Sequence, residues 1–375
     1  MERIIFYIKI NFVYDTQFGV VVKKYMTYLK MLLLKIIGFM EEKLMFKIDK
    51  MNYFGFILKL LGTLGVYVWS SSAFSNNCQI IPQNRIISKS GCYYLDRNIM
   101  VNGNKPGVTI SANNVDLDLN KMKIYVNKAK SNSYGILVTN SSFIHIYNGS
   151  IENTYYGIVM TNVKNGEIYN IKFHKINNIA ITLSYDFDIK IINNTFALNS
   201  LYDKNDDINF YLVGVNAVST ERLIINKNNF IYKNPLNITD NPKLEQLGIL
   251  LSSENRNVDI IENNINLNTL RHKTYGLWCA HGNKRINIKN NKIVNNWYGM
   301  ALLCKDTYVI GNKIVANHSS LSKFGNQFYY RSKPNTFEEK TPFPTGIVTH
   351  FSSINRGINE NSITGYNYPV IMVSD

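Results

Sequence analysis

The chain has 375 residues, 45% hydrophobic and 18% charged, with 22 Gly and only 8 Pro. That apolar and aromatic content excludes a disordered or collagen-like chain. Its 53 Asn residues favour turns over helix interiors and argue against an all-helical protein. A formal net charge of +15 suits an acidic partner. An Ile-, Asn- and Lys-rich composition gives the same sign, however, so charge alone decides nothing.

Residues 1–50 are apolar and Lys-rich, with several internal Met, and read as an upstream extension that is not native to the protein. The competing reading is a membrane-associated leader, since 20–40 is apolar with scattered lysines. Residues 51–75 read as a secretory signal peptide starting at Met51. Lys59 precedes an apolar run over 60–69, and the small residues Ala73 and Ser75 occupy the −3 and −1 positions of a cleavage site. Nothing beyond residue 75 approaches a membrane span in length, so no stable span is expected after cleavage. The expected location is secreted, periplasmic or on the cell surface.

The remaining part, 76–375, carries 31 Lys and Arg against 21 Asp and Glu, with no basic run that singles out nucleic acid. Cys78 and Cys92 flank a short segment after the cleavage site and read as an N-terminal disulfide staple. Cys279 falls at a core-facing position, where cysteine acts as a small hydrophobe. No Cys/His spacing suggests zinc.

Self-similarity carries the fold assignment. The block Ile-x-x-Asn-x-(Ile/Phe) recurs as IINNTF (191–196), INKNNF (225–230), IIENNI (260–265), IKNNKI (288–293), VIGNKI (309–314) and INENSI (358–363). IYNGSI (146–151) and IYNIKF (168–173) share the frame with Asn one position earlier. A second block opens with Gly, as in YGILV, YGIVM, LGILL and YGLWC, and alternates apolar and other residues with period two. Alternation of this kind marks strands with one buried face. A leucine-rich repeat shares the Asn-bearing block, but its return is helical, whereas here it is a second Ile-, Val- and Thr-rich strand. The pattern predicts an all-β, right-handed parallel β-helix solenoid of about ten coils. Residues 76–106 are expected to form an entry or cap segment and 107–375 the solenoid itself.

The stretch 90–124, with Tyr94, Leu95, GVTI (107–110) and VDLDLN (115–120), resembles the entry coil of right-handed parallel β-helix proteins of the pectate-lyase-like superfamily. Lys121 stands where that pattern usually has Gly. The resemblance covers roughly 85–375; it implies the fold, with carbohydrate-active or surface-binding function as the associated expectation.

The Asn column Asn194, Asn228, Asn263, Asn291, Asn312 and Asn361 reads as a structural ladder, since stacked coils lie about 4.8 Å apart and amides can bond from coil to coil. Asn also tolerates the left-handed conformation a corner needs.

Insertions before Gly214, Gly248, Gly276 and Gly346 emerge at one corner and point to the outer face of the Gly-headed strands as the site. On that face Trp278 is a candidate sugar platform, with His281 and His350 as further substrate-binding candidates. Asp186 and Glu254 share the sixth position after the column head. Two coils apart, they fit the upper edge of the carboxylate spacing in inverting glycosidases. Arg271 and Lys305 are candidate bases for a lyase, and DKNDD (203–207) is a candidate Ca2+ loop without the EF-hand pattern.

Two readings follow. One is a secreted protein that binds an acidic polysaccharide, with lyase, epimerase or hydrolase chemistry open. The other is a non-catalytic, adhesin-type β-helix presenting a binding face. The chain ends in mid-coil after 368–373, which needs a folded-over loop, an oligomer partner or further sequence to cover it.

Overall fold

The structure is a computed structural model that describes residues 78–102, 105–127, 133–198, 210–232, 244–267, 274–316, 345–350, 358–366 and 368–373. The chain divides into two units, Met1–Asn76 and Asn77–Asp375, and every described residue belongs to the second. The expected extension and signal peptide therefore lie outside the described residues, as do DKNDD and Arg271.

Strands pair in parallel throughout, each with its counterpart one coil away, forming an eleven-stranded and a nineteen-stranded sheet. The Gly-headed strands, such as Tyr134–Thr139, Tyr156–Thr161, Ile179–Ser184 and Thr274–Cys279, form the first sheet. Asn-bearing blocks form the second. In early coils such a block is one long bent strand, Ser142–Glu152 or Lys164–His174; in later coils it splits, as into Phe187–Ile192 and Thr195–Leu198. No described residue is helical, and no helix among them is long and apolar enough to cross a membrane.

The solenoid begins earlier than the sequence pattern suggests. Gln79–Ile80 pairs with Gly91–Tyr94, which pairs with Val115–Asp118, while Ile86–Ile87 pairs with Val108–Ile110. The expected entry or cap segment thus carries strands of two to four residues that pair in parallel with the coil that follows.

Register explains the core. Ile146, Ile168, Ile191, Ile225, Ile260 and Ile288 stack as direct partners and are fully buried. Phe173, Phe196 and Phe230 form a column with ring centroids 4.9 and 4.4 Å apart, tilted by only 6° and 4°. This stack lies directly under the Gly column. A Cβ on Gly214 would sit 2.5 Å from Phe230 Cε1 and 2.5 Å from the Gly248 carbonyl, so the small residue is required by close approach.

The Asn ladder is continuous. Asn194, Asn228, Asn263, Asn291 and Asn312 each donate their backbone N–H to Oδ1 of the next member, at 2.8–2.9 Å, ending on Asn361. Each Nδ2 also donates to that same Oδ1 and to a carbonyl of the preceding coil, as Asn263 does to Asn291 and Ile225. The left-handed conformation falls one residue earlier than expected, on Asn193, Lys227, Glu262, Asn290, Gly311 and Glu360. The ladder asparagines therefore serve by their amides, and their neighbours make the turn.

Cys78 and Cys92 form a disulfide. Cys279 is bonded to Cys304, with Cα atoms 5.6 Å apart and both residues fully buried. That corrects the expectation of a lone hydrophobic Cys279. The end of one Gly-headed strand and the corner that follows the next coil's Gly-headed strand bring the two cysteines of adjacent coils together inside the solenoid.

Candidate functional site

Among the described residues, Asp186, Glu254 and Lys305 lie apart and form no common group. Asp186 is only 2% exposed and turns inward at the corner, accepting the N–H groups of Val163 (2.7 Å) and Ser184 (2.9 Å). Glu254 is exposed one column away, where Ser219 Oγ donates to it at 3.4 Å. The reason is a register shift between Ala217 and Val218, which sets Val218 opposite Ser253. Asn255 then takes the place assumed for Glu254 and accepts the Thr220 N–H at 2.9 Å. The expected carboxylate pair is therefore split: Asp186 belongs to a second inward corner column with Thr220, Asn255 and Asn283, and Glu254 lies outside it.

Trp278 is half-buried, with its ring centroid 4.6 Å from that of Tyr275. It packs against an outer-face apolar cluster that includes Val213, Leu247, Tyr298 and Val348, so it is not an open platform. His281 is exposed in the turn that follows. His350 closes the strand Thr345–His350 as the partner of Val373. Lys305 is exposed at the start of Lys305–Ile310, directly beside Lys284 of the preceding coil.

A different face gathers titratable groups. In the nineteen-stranded sheet, Asp116 pairs with His145, His145 with Glu167, and Glu167 with Lys190. All four alternate with buried residues such as Leu117, Ile146, Ile168 and Ile191, so they project from the outer face about 4.8 Å apart. Two residues further along the same strands lie Asp118, Tyr147 and Tyr169, also in register.

His145 Nδ1 lies 2.6 Å from Asp116 Oδ1, and both side chains are partly exposed. The hydrogen bond to Asp116 raises the imidazole pKa above its ordinary value; burial opposes this, and Glu167 adds to the rise. Tyr147 and Tyr169 stack with centroids 4.7 Å apart and planes 8° from parallel. Burial, with the nearby carboxylates, pushes Tyr169 up to about 12 and raises Tyr147 as well, so both phenols remain hydrogen-bond donors. Asp118 is engaged locally, accepting the Asn120 N–H and the Asn148 amide.

Chemically the face offers a carboxylate-oriented imidazole, two neutral phenols and an ammonium within four coils. An imidazolium held by Asp116 can donate a proton from Nε2; once neutral, the same nitrogen can accept one. Among the described residues no group of three His, Cys, Asp or Glu could hold a metal ion. The signal for this face lay in the outward letters of VDLD, IHIY and EIY, between the inward residues that define the repeat.

Residues 134–317 match the family described as the right handed beta helix region. Together with the stacked parallel sheets, this makes the chain a right-handed parallel β-helix repeat protein. Among solved structures, the Dettilon tailspike protein is similar at 12% identity and TM-score 0.45, covering 79% of this chain and 60% of that one. Alginate lyase from Paenibacillus sp. is similar at 11% identity and TM-score 0.44, covering 78% and 98%. PfbA, a surface adhesin of Streptococcus pneumoniae, is similar at 13% identity and TM-score 0.39, covering 76% and 84%. No curated protein matches the sequence.

Proposed function

We propose that this β-helix is a secreted carbohydrate-binding protein whose working face carries Asp116, His145, Tyr147, Glu167, Tyr169 and Lys190. The observation that carries the reading is the Asp116–His145 contact beside the Tyr147–Tyr169 stack, partly exposed on an otherwise regular solenoid surface. Neither is needed to close a coil, since the Ile columns and the Asn ladder already do so. Hydroxyl-rich sugar rings suit a surface of neutral phenols, carboxylates and an imidazolium, which offers both donors and acceptors. Two disulfides fit an oxidising compartment.

The chemistry proposed is proton transfer at a glycosidic linkage or beside a uronate carboxylate, with His145 as the acid or base and Asp116 as its orienting partner. A non-catalytic binding role is the second reading, favoured by the raised imidazole pKa, which keeps His145 a hydrogen-bonding cation up to higher pH.

The test is a panel of acidic and neutral polysaccharides incubated with wild-type protein and with His145→Gln. Unsaturated uronates are read by absorbance and new reducing ends by a colorimetric assay. Product formation that His145→Gln abolishes supports the catalytic reading. Binding without product, weakened by Tyr169→Ala, supports the binding reading. Absence of both binding and product for every polysaccharide overturns the proposal.

A further inference from the structure

At the corner joining a Gly-headed strand to the next Asn-bearing block, five successive coils have two left-handed positions each. The first column holds Asn140, Asn162, Tyr185, Ser219 and Glu254, tied together coil to coil by backbone hydrogen bonds. The second holds Phe143, Asn165, Asp188, Arg222, Asn257, Arg285 and Asp306. Asn and Asp are well suited to this conformation, and bulky aromatics are not. Tyr185 (φ 58°) and Phe143 (φ 56°) nevertheless occupy it. They are also 69% and 53% exposed, so no packing in the described structure offsets the unfavourable backbone.

Between these columns runs an outward one: Ser142, Lys164, Phe187, Glu221, Arg256, Lys284 and Lys305, each the direct register partner of the next. Its last three members are cations stacked about 4.8 Å apart, an arrangement that costs stability when like charges lie directly opposite. None of the three has an ion-pair partner among the described residues. Residues that strain the backbone or repel one another, and that contribute no packing in return, are the mark of a surface kept for a ligand.

We propose that this corner is a binding rail for an anionic polysaccharide lying along the solenoid axis. Phe143 and Tyr185 stack on sugar rings at one end, and Arg256, Lys284 and Lys305 meet the acid groups of the chain at the other. The inference rests on the carbohydrate reading above and deepens it by naming the substrate class. Arg256, Lys284 and Lys305 are three successive cations of the outward column, whereas the Asp116–His145 face alternates carboxylates with its imidazole and Lys190, so the acid groups of a bound polymer are met at the three cations. The rail borders that face directly: Phe143 and His145 flank the buried Ile144 on one strand.

The experiment uses the full chain and immobilised polygalacturonate, alginate, heparin and, as the neutral control, dextran. Tyr185→Asn places in the corner the residue its column holds at Asn140 and Asn162. It should raise Tm by about 1–3 °C and weaken acidic-glycan binding about tenfold. Tyr185→Trp should restore binding. The triple change Arg256→Gln, Lys284→Gln, Lys305→Gln should flatten the salt dependence of binding without lowering Tm. If wild type binds an acidic glycan and these variants bind it equally well, the rail is overturned while the face of His145 stands. A fall in Tm for Tyr185→Asn overturns the strain argument and with it the rail. Failure of wild type to bind any of the probes overturns both readings.

Discussion

Asp116 and His145 are 29 residues apart in the chain, yet Asp116 Oδ1 lies 2.6 Å from His145 Nδ1 because the solenoid stacks them in register on adjacent coils. Neither packs the core. Their contact stabilises the imidazolium, which raises the pKa in the folded state relative to the unfolded chain. Its stabilising contribution is therefore fully present below the unfolded value of about 6.5 and is lost as pH rises through the folded value. Asp116→Asn should bring the His145 titration, followed by imidazole proton NMR, back toward 6.5. It should also destabilise the protein more at pH 5 than at pH 8. An unchanged titration would show that the pair does not set the protonation of this histidine.

The Asn ladder predicts a steep dependence on position. Removing the Asn263 side chain strips the acceptor from both the N–H and the Nδ2 of Asn228, and the donor from the Ile225 carbonyl and Asn291 Oδ1. All of these groups are buried. Asn263→Ala should therefore cost about 3 kcal/mol or more in denaturant unfolding. Asn361 makes comparable bonds but is only partly buried, so water can replace them. Asn361→Ala should cost about 1 kcal/mol. Equal losses at the two positions would mean that the ladder does not act through buried polar satisfaction.

These contrasts also show what a sequence of this kind makes legible. The inward columns, Ile146 to Ile358 and Phe173 to Phe230, repeat at a fixed frame because every coil must fill the same interior. The ladder repeats because each Asn must meet the next one. Counting from Gly aligns Asp186 with Thr220 but fails at Glu254, because the strand Leu244–Ser253 carries an extra residue opposite Ala217 and Val218, and an irregularity of one position moves a side chain to a different column. Trp278 was legible as outward-facing but not as packed, since its neighbours Tyr275 and Tyr298 come from the same outer column on successive coils. The Asp116–His145 face carries no repeat, because a site is a local departure from the pattern. Only reading the letters between the inward isoleucines exposes it.

Asp186 tests the second corner column. Burial pushes its carboxyl up to about 7, against the two N–H groups that favour the charged form. The folded value lies above the unfolded one, near 3.9, so ionisation opposes folding: stability should fall as pH rises from about 4 to about 7 and then level off. Asp186→Asn can adopt the geometry of Asn255, which accepts a backbone N–H and donates Nδ2 to the Ala217 carbonyl at 2.9 Å. That variant should be more stable than wild type at pH 8 and close to it at pH 4, measured by thermal unfolding across the range. A variant less stable at pH 8 would show that the carboxylate is held by its two N–H donors more strongly than burial disfavours it.

The two disulfides should differ in reactivity for a reason set by position. Cys78 is exposed and its partner Cys92 is partly so, on a short strand at one end of the described solenoid. Cys279 and Cys304 are fully buried, one on a central Gly-headed strand and the other in the inward corner column, where Thr307 Oγ1 donates to Cys304 Sγ at 3.2 Å. A thiolate reductant reaches the first pair in the native state, but reaches the second only when that coil opens. Mild dithiothreitol followed by alkylation and peptide mass spectrometry should label Cys78 and Cys92 first, with Cys279 and Cys304 labelled only under partial denaturation. Cys304→Ser should cost about 3 kcal/mol from the freed 25-residue separation. Labelling of both pairs at the same rate would mean that the coil carrying Cys279 opens as readily as the end of the solenoid, contrary to its burial on every side.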